Sequence, residues 1–305
     1  YGMPVKIRAC DTMGYGVNFP GAVIPRSVQG IIYGLIAMGM VLIFRSVGVM
    51  NFAQGEFLMF GGYFCYTYNK ILHLPIVSSL ILASFSMGAV GVLFMRLSYW
   101  PLRKAQAKAI IVSAMGASIV FKEGARLVWG SMPMTMDRVI QGTTHVGNAV
   151  IQWQNVAIIG ISAIIMILIY ILLEKTFIGN IMQATAQDQY MASLSGVPVI
   201  VSIGLTFALS AMITGIGGGL LAPIFFLNNT MGATAGAKAF AAIVIGGFGS
   251  VQGAILGGLI VGLVESFGGA YISSTYQLVL IYIVLIAVLM FRPQGIFGEK
   301  IQEKA

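Results

Sequence analysis

Four charged side chains stand within or beside long apolar stretches of the sequence: Arg45, Glu56, Lys238 and Glu265. A charge is costly in lipid, so such residues usually face a cavity, a partner protein or the membrane interface. Arg45 ends one apolar stretch and Glu56 begins the next. This placement favours the inner headgroup level for both side chains, with a role in gating or coupling as the alternative.

Lys238 and Glu265 flank a glycine-rich turn centred at Val251, 13 residues before it and 14 residues after it. With a helical rise of about 1.5 Å per residue, both side chains lie roughly 20 Å from the turn. We therefore predict that they lie at similar depth on the outer side and can pair. A structural ion pair is the simpler interpretation, and a contact with a substrate carboxylate is the alternative.

The remaining reactive residue types do not form a pattern typical of an enzyme. His73 and His145 stand alone, without a second ligand at the spacing that metal sites use. Cys10 and Cys65 are too few for a disulfide framework. The sequence has no Gly-x-x-x-x-Gly-Lys-[Ser/Thr] loop, and the triple Gly217–Gly219 lies inside an apolar stretch instead of following a strand. We predict no catalysis by this chain and no metal or other cofactor bound to it.

The composition indicates which elements must carry these residues. Of 305 residues, 58% are hydrophobic and 9% charged, whereas soluble domains carry about 25% charged residues. This excludes a soluble enzyme and a secreted disulfide-rich domain, and it predicts an all-α polytopic membrane protein. The net charge of +8 is spread over loops, which favours anionic lipid headgroups over nucleic acid as the attracting partner.

The apolar segments predict about nine transmembrane or partly spanning helices in a membrane domain over 27–297, between a polar N-terminal segment, 1–26, and a cytoplasmic tail, 298–305. The segments lie near 27–46, 53–69, 75–97, 108–128, 156–173, 200–226, 236–249, 252–269 and 278–291. The positive-inside rule places the basic cluster Arg96–Lys108 and the C-terminus inside. Spans one to four then run opposite to spans six to nine, as an inverted repeat requires.

A polar interruption between spans five and six, residues 174–200, is predicted to lie on the inner side. Gly179-Asn180 can turn the chain there, and Gly196 with Pro198 can end a short helix. Such a helix on the inner side could transmit a movement from a partner protein to the membrane domain, or it could be an ordinary amphipathic connector. The residues expected to carry a coupling role are Ala184, Gln187, Asp188, Met191, Ala192, Leu194 and Gly196.

Glycines recur every four residues near the C-terminal end, at Gly249, Gly253 and Gly257 and again at Gly258 and Gly262. Faces of small residues let helices pack closely in lipid, and we predict that role. Breaks in the helices at Gly215–Gly219 and Gly268-Gly269, which would free backbone groups to line a pathway, are the alternative.

Several motifs occur in an order found in a known family. They are Gly34–Gly39, Val49–Glu56, Tyr99–Arg103, Ala186–Asp188 with Met191–Ser193 and Gly196, Ala239-Phe240, Gly246-Gly247, Gly249-Ser250, Gly253-Ala254 and Arg292–Gly298. From about residue 27 to 297 the chain resembles the membrane subunits of bacterial branched-chain amino acid ABC importers of the LivH type. The chain has Gln54 where family members commonly have His, and Gln187 where they commonly have Glu.

The resemblance implies a permease of the type II importer architecture in the bacterial inner membrane, with alternating access driven by separate subunits. The loop Gln187–Gly196 would be the coupling helix that docks on an ATPase. The implied partners are a second related permease subunit, two cytoplasmic ABC ATPases that bind ATP and Mg, and an extracytoplasmic substrate-binding protein. Whether the permease is homodimeric or heterodimeric stays open.

Branched-chain amino acids are the expected substrates, and urea, short amides or aromatic acids are alternatives. A self-sufficient secondary transporter or channel is the rival from another class, and it would need ionisable residues in mid-span. The candidate pathway or structural residues are Asn51, Gln54, Gly55, Glu56, Gly217, Lys238, Gly246, Gly247 and Glu265.

Overall fold

A computed structural model describes residues 19–137, 142–146, 149–271 and 274–298. Within these ranges the chain forms eleven α-helices and one β-hairpin. They are α1 (Phe19–Val47), α2 (Gln54–Tyr66), α3 (Ile76–Phe94), α4 (Ala107–Trp129), β1 (Thr143–Val146), β2 (Ala149–Gln152), α5 (Trp153–Lys175), α6 (Phe177–Gln187), α7 (Gln189–Leu194), α8 (Val199–Leu221), α9 (Met231–Gly246), α10 (Val251–Tyr271) and α11 (Gln277–Phe291).

Each of the nine apolar segments contains one helix, and α6 and α7 form the polar loop between the fifth and sixth. A π-helical turn, Thr67–Ile71, extends α2, and further turns as far as Leu102 extend α3. Five helices of the described chain are long and apolar enough to cross a membrane: α1, α3, α5, α8 and α10. The apolar helices α9 and α11 are shorter. The chain is an all-α multi-pass membrane protein.

Helix α1 begins at Phe19, within the predicted polar segment 1–26, and its apolar span runs over Val28–Val47. Residues 1–18 and 299–305 lie outside the described residues. The antiparallel hairpin β1–β2, which pairs Thr143 with Gln152 and Val146 with Ala149, was not predicted. Its strands have only four residues each, too few for an alternating pattern to stand out in the sequence.

The helix contacts follow the pairing expected for two inverted halves. The two most extensive helix contacts of the described chain join α1 to α10 and α3 to α8. In an inverted repeat of spans one to four and six to nine, α8 is the counterpart of α1, and α10 is the counterpart of α3. Both contacts therefore join one half to the other, and the inverted repeat makes them equivalent.

Close approach of glycines makes these contacts possible. A Cβ atom at Gly262 or Gly258 of α10 would collide with the backbone of Gly30 or Gly34 of α1. Gly253 and Gly257 use another face of α10 to meet α9. The predicted close packing is confirmed for these glycines.

Other glycines correct the expectation. Gly249 lies in the α9–α10 turn, with a φ of +83°, and not on a helix face. The glycines Gly215–Gly219 lie inside the continuous helix α8, and Gly268-Gly269 inside α10, so the alternative that these residues break helices is wrong. Gly215 and Gly218 instead pack against the backbone of α2.

Candidate functional site

Helix α2 begins inside the bundle, not at the end that the positive-inside rule predicts to be cytoplasmic, which is called the inner end below. The Gln54 amide donates to the Ser210 hydroxyl at 2.8 Å and to the Thr214 hydroxyl at 2.6 Å, and a Cβ at Gly39 of α1 would collide with it. Gly39 precedes the end of α1 by eight residues, which places Gln54 about 12 Å from that end. The non-helical residues 48–53 therefore return into the bundle, where irregular backbone is tolerated only if protein or a polar cavity surrounds it.

Asn51 and Gln54 hold this break together. The Asn51 side chain accepts from the backbone N–H of Ala53 at 3.0 Å and donates to the Gln54 side-chain oxygen at 3.2 Å. Both residues are buried. Because their polar atoms are used on one another and on α8, the observed role of both is to fix the start of α2.

Their partners on α8 belong to a polar stripe that sequence reasoning missed. The members share a spacing of four residues and are almost fully buried: Ser202, Thr206, Ser210 and Thr214. Residues four apart lie on one face of a helix. The spacing was a usable signal, although the apolar residues between these hydroxyls conceal it in a hydropathy average.

Glu56 is 1% exposed and lies among α2, α4 and α9, so its side chain faces protein and not lipid. The Ser118 hydroxyl of α4 donates to Glu56 Oε1 at 3.2 Å. The other oxygen faces Gly232 in the first turn of α9. The first turns of two helices, α2 and α9, thus meet around this carboxylate. Gly55 packs beside it against Gly232 and Gly236.

The predicted pairing of Lys238 with Glu265 is confirmed. Lys238 Nζ lies 2.6 Å from Glu265 Oε1 and also donates to the Tyr33 hydroxyl at 3.1 Å. The side chains of the two charged residues are 16% and 5% exposed. The pair links α9 to α10, and Tyr33 adds α1. Gly217 is also buried, on α8 beside Leu58.

The Arg45 side chain connects three elements at the inner end of the bundle. Its Nη1 lies 3.2 Å from Glu174 Oε1 at the end of α5, and its Nε donates to the Gly249 carbonyl in the α9–α10 turn. Nearby, the backbone N–H groups of Ile296 and Phe297 donate to the last carbonyls of α9, at Ile245 and Gly246. Gly246 and Gly247 thus have packing roles at this end.

The inner loop contains two helices, not one. Thr176 caps α6 by accepting from Gly179 N, so Gly179-Asn180 lies inside α6 and does not turn the chain as predicted. Asp188 separates α6 from α7 and caps α7, accepting from the backbone N–H of Tyr190 at 2.8 Å and of Met191 at 3.0 Å. Gly196, with a φ of +81°, ends α7 as predicted.

The two helices of the loop differ in what they expose. Helix α6 is anchored to the bundle, because Met182 is buried and the Thr185 hydroxyl bonds the Ser202 hydroxyl of α8 at 3.0 Å. On α7 only Ala192 is buried. The exposed apolar side chains of α7, Tyr190, Met191 and Leu194, are 68%, 58% and 66% exposed. These three side chains form an apolar surface on α7, and Ala184 and Gln187 of α6 are exposed as well.

No group of three or more metal-ligating side chains occurs among the described residues. The chemistry of the described sites is that of packing, hydrogen bonding and charge pairing.

Comparison with known proteins gives a family that covers most of the chain. Residues 26–289 match the family described as branched-chain amino acid transport system / permease component. The chain is 32% identical over 289 residues to the high-affinity branched-chain amino acid transport system permease proteins LivH of Escherichia coli (strain K12) and BraD of Pseudomonas aeruginosa, covering 90% of this chain and 94% of each relative. It is 27% identical to a probable LivH of Methanocaldococcus jannaschii, over 87% of this chain and 88% of that one. No solved structure matches the chain.

Proposed function

The chain belongs to the family of branched-chain amino acid transport permeases, and on that premise we propose that it is the membrane-spanning subunit of an ATP-driven importer of branched-chain amino acids. The observation that carries this proposal is the apolar surface of α7, placed between two membrane-spanning helices and anchored to them through α6. A transporter that needs no partner has no use for such a surface.

Energy comes from partner subunits. Two cytoplasmic ABC ATPases, which bind ATP and Mg, receive α7 in this proposal, and a substrate-binding protein delivers the amino acid from outside the bacterial inner membrane. Gln187 removes the acidic residue that relatives commonly carry beside Asp188. Apolar contacts of Met191 and Leu194 therefore dominate the docking.

A second permease subunit completes the pathway, and helix α4 supports this part of the proposal. Its exposed face carries Glu123 and Arg126, 3.6 Å apart and about half exposed, whereas the exposed side chains of α11, the counterpart of α4, are apolar apart from the Tyr282 hydroxyl. Charged side chains on a helix of the membrane domain usually face protein or water and not lipid.

Crosslinking tests the position of the second permease. Gly124, next to Glu123 in the sequence of α4, has no atom within 4 Å of a Cβ placed on it, so Gly124→Cys fits without strain. We expect Gly124→Cys to crosslink to a second permease chain in the assembled importer, and the matched Ile283→Cys on α11 not to do so. Equal crosslinking from both positions would contradict the assignment.

Co-purification and uptake test the function as a whole. We expect the chain to co-purify with two ATPases and a second permease, and reconstituted vesicles with binding protein and ATP to accumulate L-leucine. Leu194→Asp should abolish ATP-driven uptake by placing a charge in an apolar contact. Met132→Asp, at an exposed position after α4, should not. A chain that transports without ATPases would establish the secondary transporter instead, and uptake of urea or aromatic acids alone would change the substrate.

A further inference from the structure

A cleft of about 740 Å³ opens at the inner end of the bundle. Its walls come from four places in the chain: the end of α1, the end of α5 with helix α6, the α9–α10 turn, and the segment 293–298. The volume lies within the range of about 300–1,000 Å³ that is usual for small-molecule sites. None of the packing contacts described above occupies this space.

One positive and one negative side chain line this cleft. Arg45 and Glu174 lie 3.2 Å apart, with side chains 32% and 35% exposed. A pair this open to water contributes little stability by itself, about 0–1 kcal/mol in typical measurements. Both groups keep further capacity, since a guanidinium has five N–H donors and a carboxylate accepts several hydrogen bonds.

The backbone repeats the same separation of charge. Helix α10, 21 residues long, begins at the turn residues Gly249 and Ser250 and directs its positive end at the cleft. Helices α1 and α5 end there, each with the negative end of its dipole. The cleft thus offers an anion site next to Arg45 and the α10 N-terminus, and a cation site next to Glu174.

The rest of the lining is apolar or amide. Leu42, Met182, Phe248 and Phe297 contribute hydrocarbon surface, and Gln183 and Gln294 contribute amides. A ligand that matches this lining carries two opposite charges close together and an aliphatic or aromatic side chain. These are the features of an apolar α-amino acid in its zwitterionic form.

We propose that this cleft binds an aliphatic α-amino acid from the cytoplasmic side, with its carboxylate on Arg45 and its ammonium on Glu174. The sidedness and the choice of amino acid rest on the proposed function. A bound zwitterion replaces the Arg45–Glu174 contact with two contacts to itself. Because α6 both lines the cleft and leads into α7, occupancy alters the seating of α7, and accumulated product slows further import.

Thiol protection in the assembled importer tests this site. In a Cys10→Ser, Cys65→Ala background, Ala186→Cys places a thiol on the cleft wall, and Asn180→Cys places one on α6 outside the cleft. We expect L-leucine at about ten times its Kd to slow maleimide labelling at position 186 about tenfold, because only the empty fraction reacts. Labelling at position 180 should be unchanged.

Two analogues and two variants distinguish recognition of both charges of the amino acid from nonspecific occupancy of the cleft. Leucinamide lacks the carboxylate and 4-methylpentanoate lacks the ammonium, so neither should protect at the same concentration. Glu174→Gln should remove the protection by L-leucine, and Lys175→Gln, its neighbour outside the cleft, should keep it. Equal protection by both analogues, or equal slowing at position 180, would overturn the proposal.

Uptake in the same preparation separates this inference from the proposed function. If the importer accumulates L-leucine but L-leucine does not protect position 186, the cleft site is wrong and the proposed function stands. If the vesicles show neither uptake nor protection, the proposed function fails and the cleft site fails with it. If both occur, vesicles preloaded with L-leucine should import more slowly than empty ones, and Glu174→Gln should remove that difference.

Discussion

At the scale of single residues, the ion pair of Lys238 and Glu265 is enclosed by three helices. We expect Lys238→Glu or Glu265→Lys alone to lower stability strongly, about 3–5 kcal/mol, because each leaves two like charges buried side by side. The double reversal should restore assembly, measured as the yield of monodisperse protein in detergent.

The double reversal also decides the role of the pair. If it restores both assembly and uptake, the pair is structural. Restored assembly without uptake would instead assign the pair to the pathway, as a contact for a charged group of the substrate. Lys175→Glu, an exposed change, serves as the control for altered net charge.

Gln54 makes a second residue-scale test possible. Gln54→Leu removes the donor that satisfies the Ser210 and Thr214 hydroxyls, and we expect a loss of about 1–3 kcal/mol from the unpaired buried groups. Gln54→His, which keeps a donor, should lose less. The midpoint of thermal unfolding measures both, and equal losses would show that the amide is not the relevant feature.

At the scale of elements, the glycine contact between α1 and α10 sets how closely the two halves approach. We expect Gly262→Val to force these helices apart at a cost of about 1–3 kcal/mol or more, since its Cβ would meet the backbone of Gly30. Gly160→Val on α5 is the matched control, because nothing lies within 4 Å of a Cβ there. Folded yield and unfolding temperature should fall for the first variant only.

The cap of α7 belongs to the same scale. Asp188→Ala should leave the backbone N–H groups of Tyr190 and Met191 without their capping acceptor. We expect this to destabilise α7 by about 0.5–2 kcal/mol. Stimulation of ATP hydrolysis by the binding protein should then weaken, while the unfolding temperature of the whole chain changes little. Asp188→Asn retains a capping oxygen and should behave like the unchanged chain; an equal defect in both variants would point to the charge and not to the cap.

At the scale of the whole molecule, hydropathy and glycine spacing were sufficient to predict a helix in each of the nine apolar segments, the α9–α10 turn and the pairing of Lys238 with Glu265. These features depend on residues close together in the sequence or on a regular rise along two helices. The depth at which α2 begins was not predictable, because Gln54 is held there by Ser210 and Thr214, more than 150 residues away. The burial of Glu56 under α4 was missed for the same reason.

The coupling residues show the same division. The residue type of Gly196 alone predicted the end of α7. The boundary between α5 and α6 instead depends on the hydrogen bond that the Thr176 hydroxyl accepts from Gly179 N. The cleft at the inner end unites parts of the chain as distant as Arg45 and Phe297, and no sequence window includes them together.

The contact between α1 and α10 joins two helices that are synthesised far apart in time. Gly34 leaves the ribosome 224 residues before Gly258, its partner. At a translation rate of about 5–20 residues per second, roughly 10–45 s pass between the synthesis of α1 and that of α10, and the glycine face of α1 has no partner during this time. During that interval the insertion machinery or a neighbouring helix must shield this face. Slowing translation between α1 and α10 should therefore lower the yield of assembled protein without altering any residue of the finished chain.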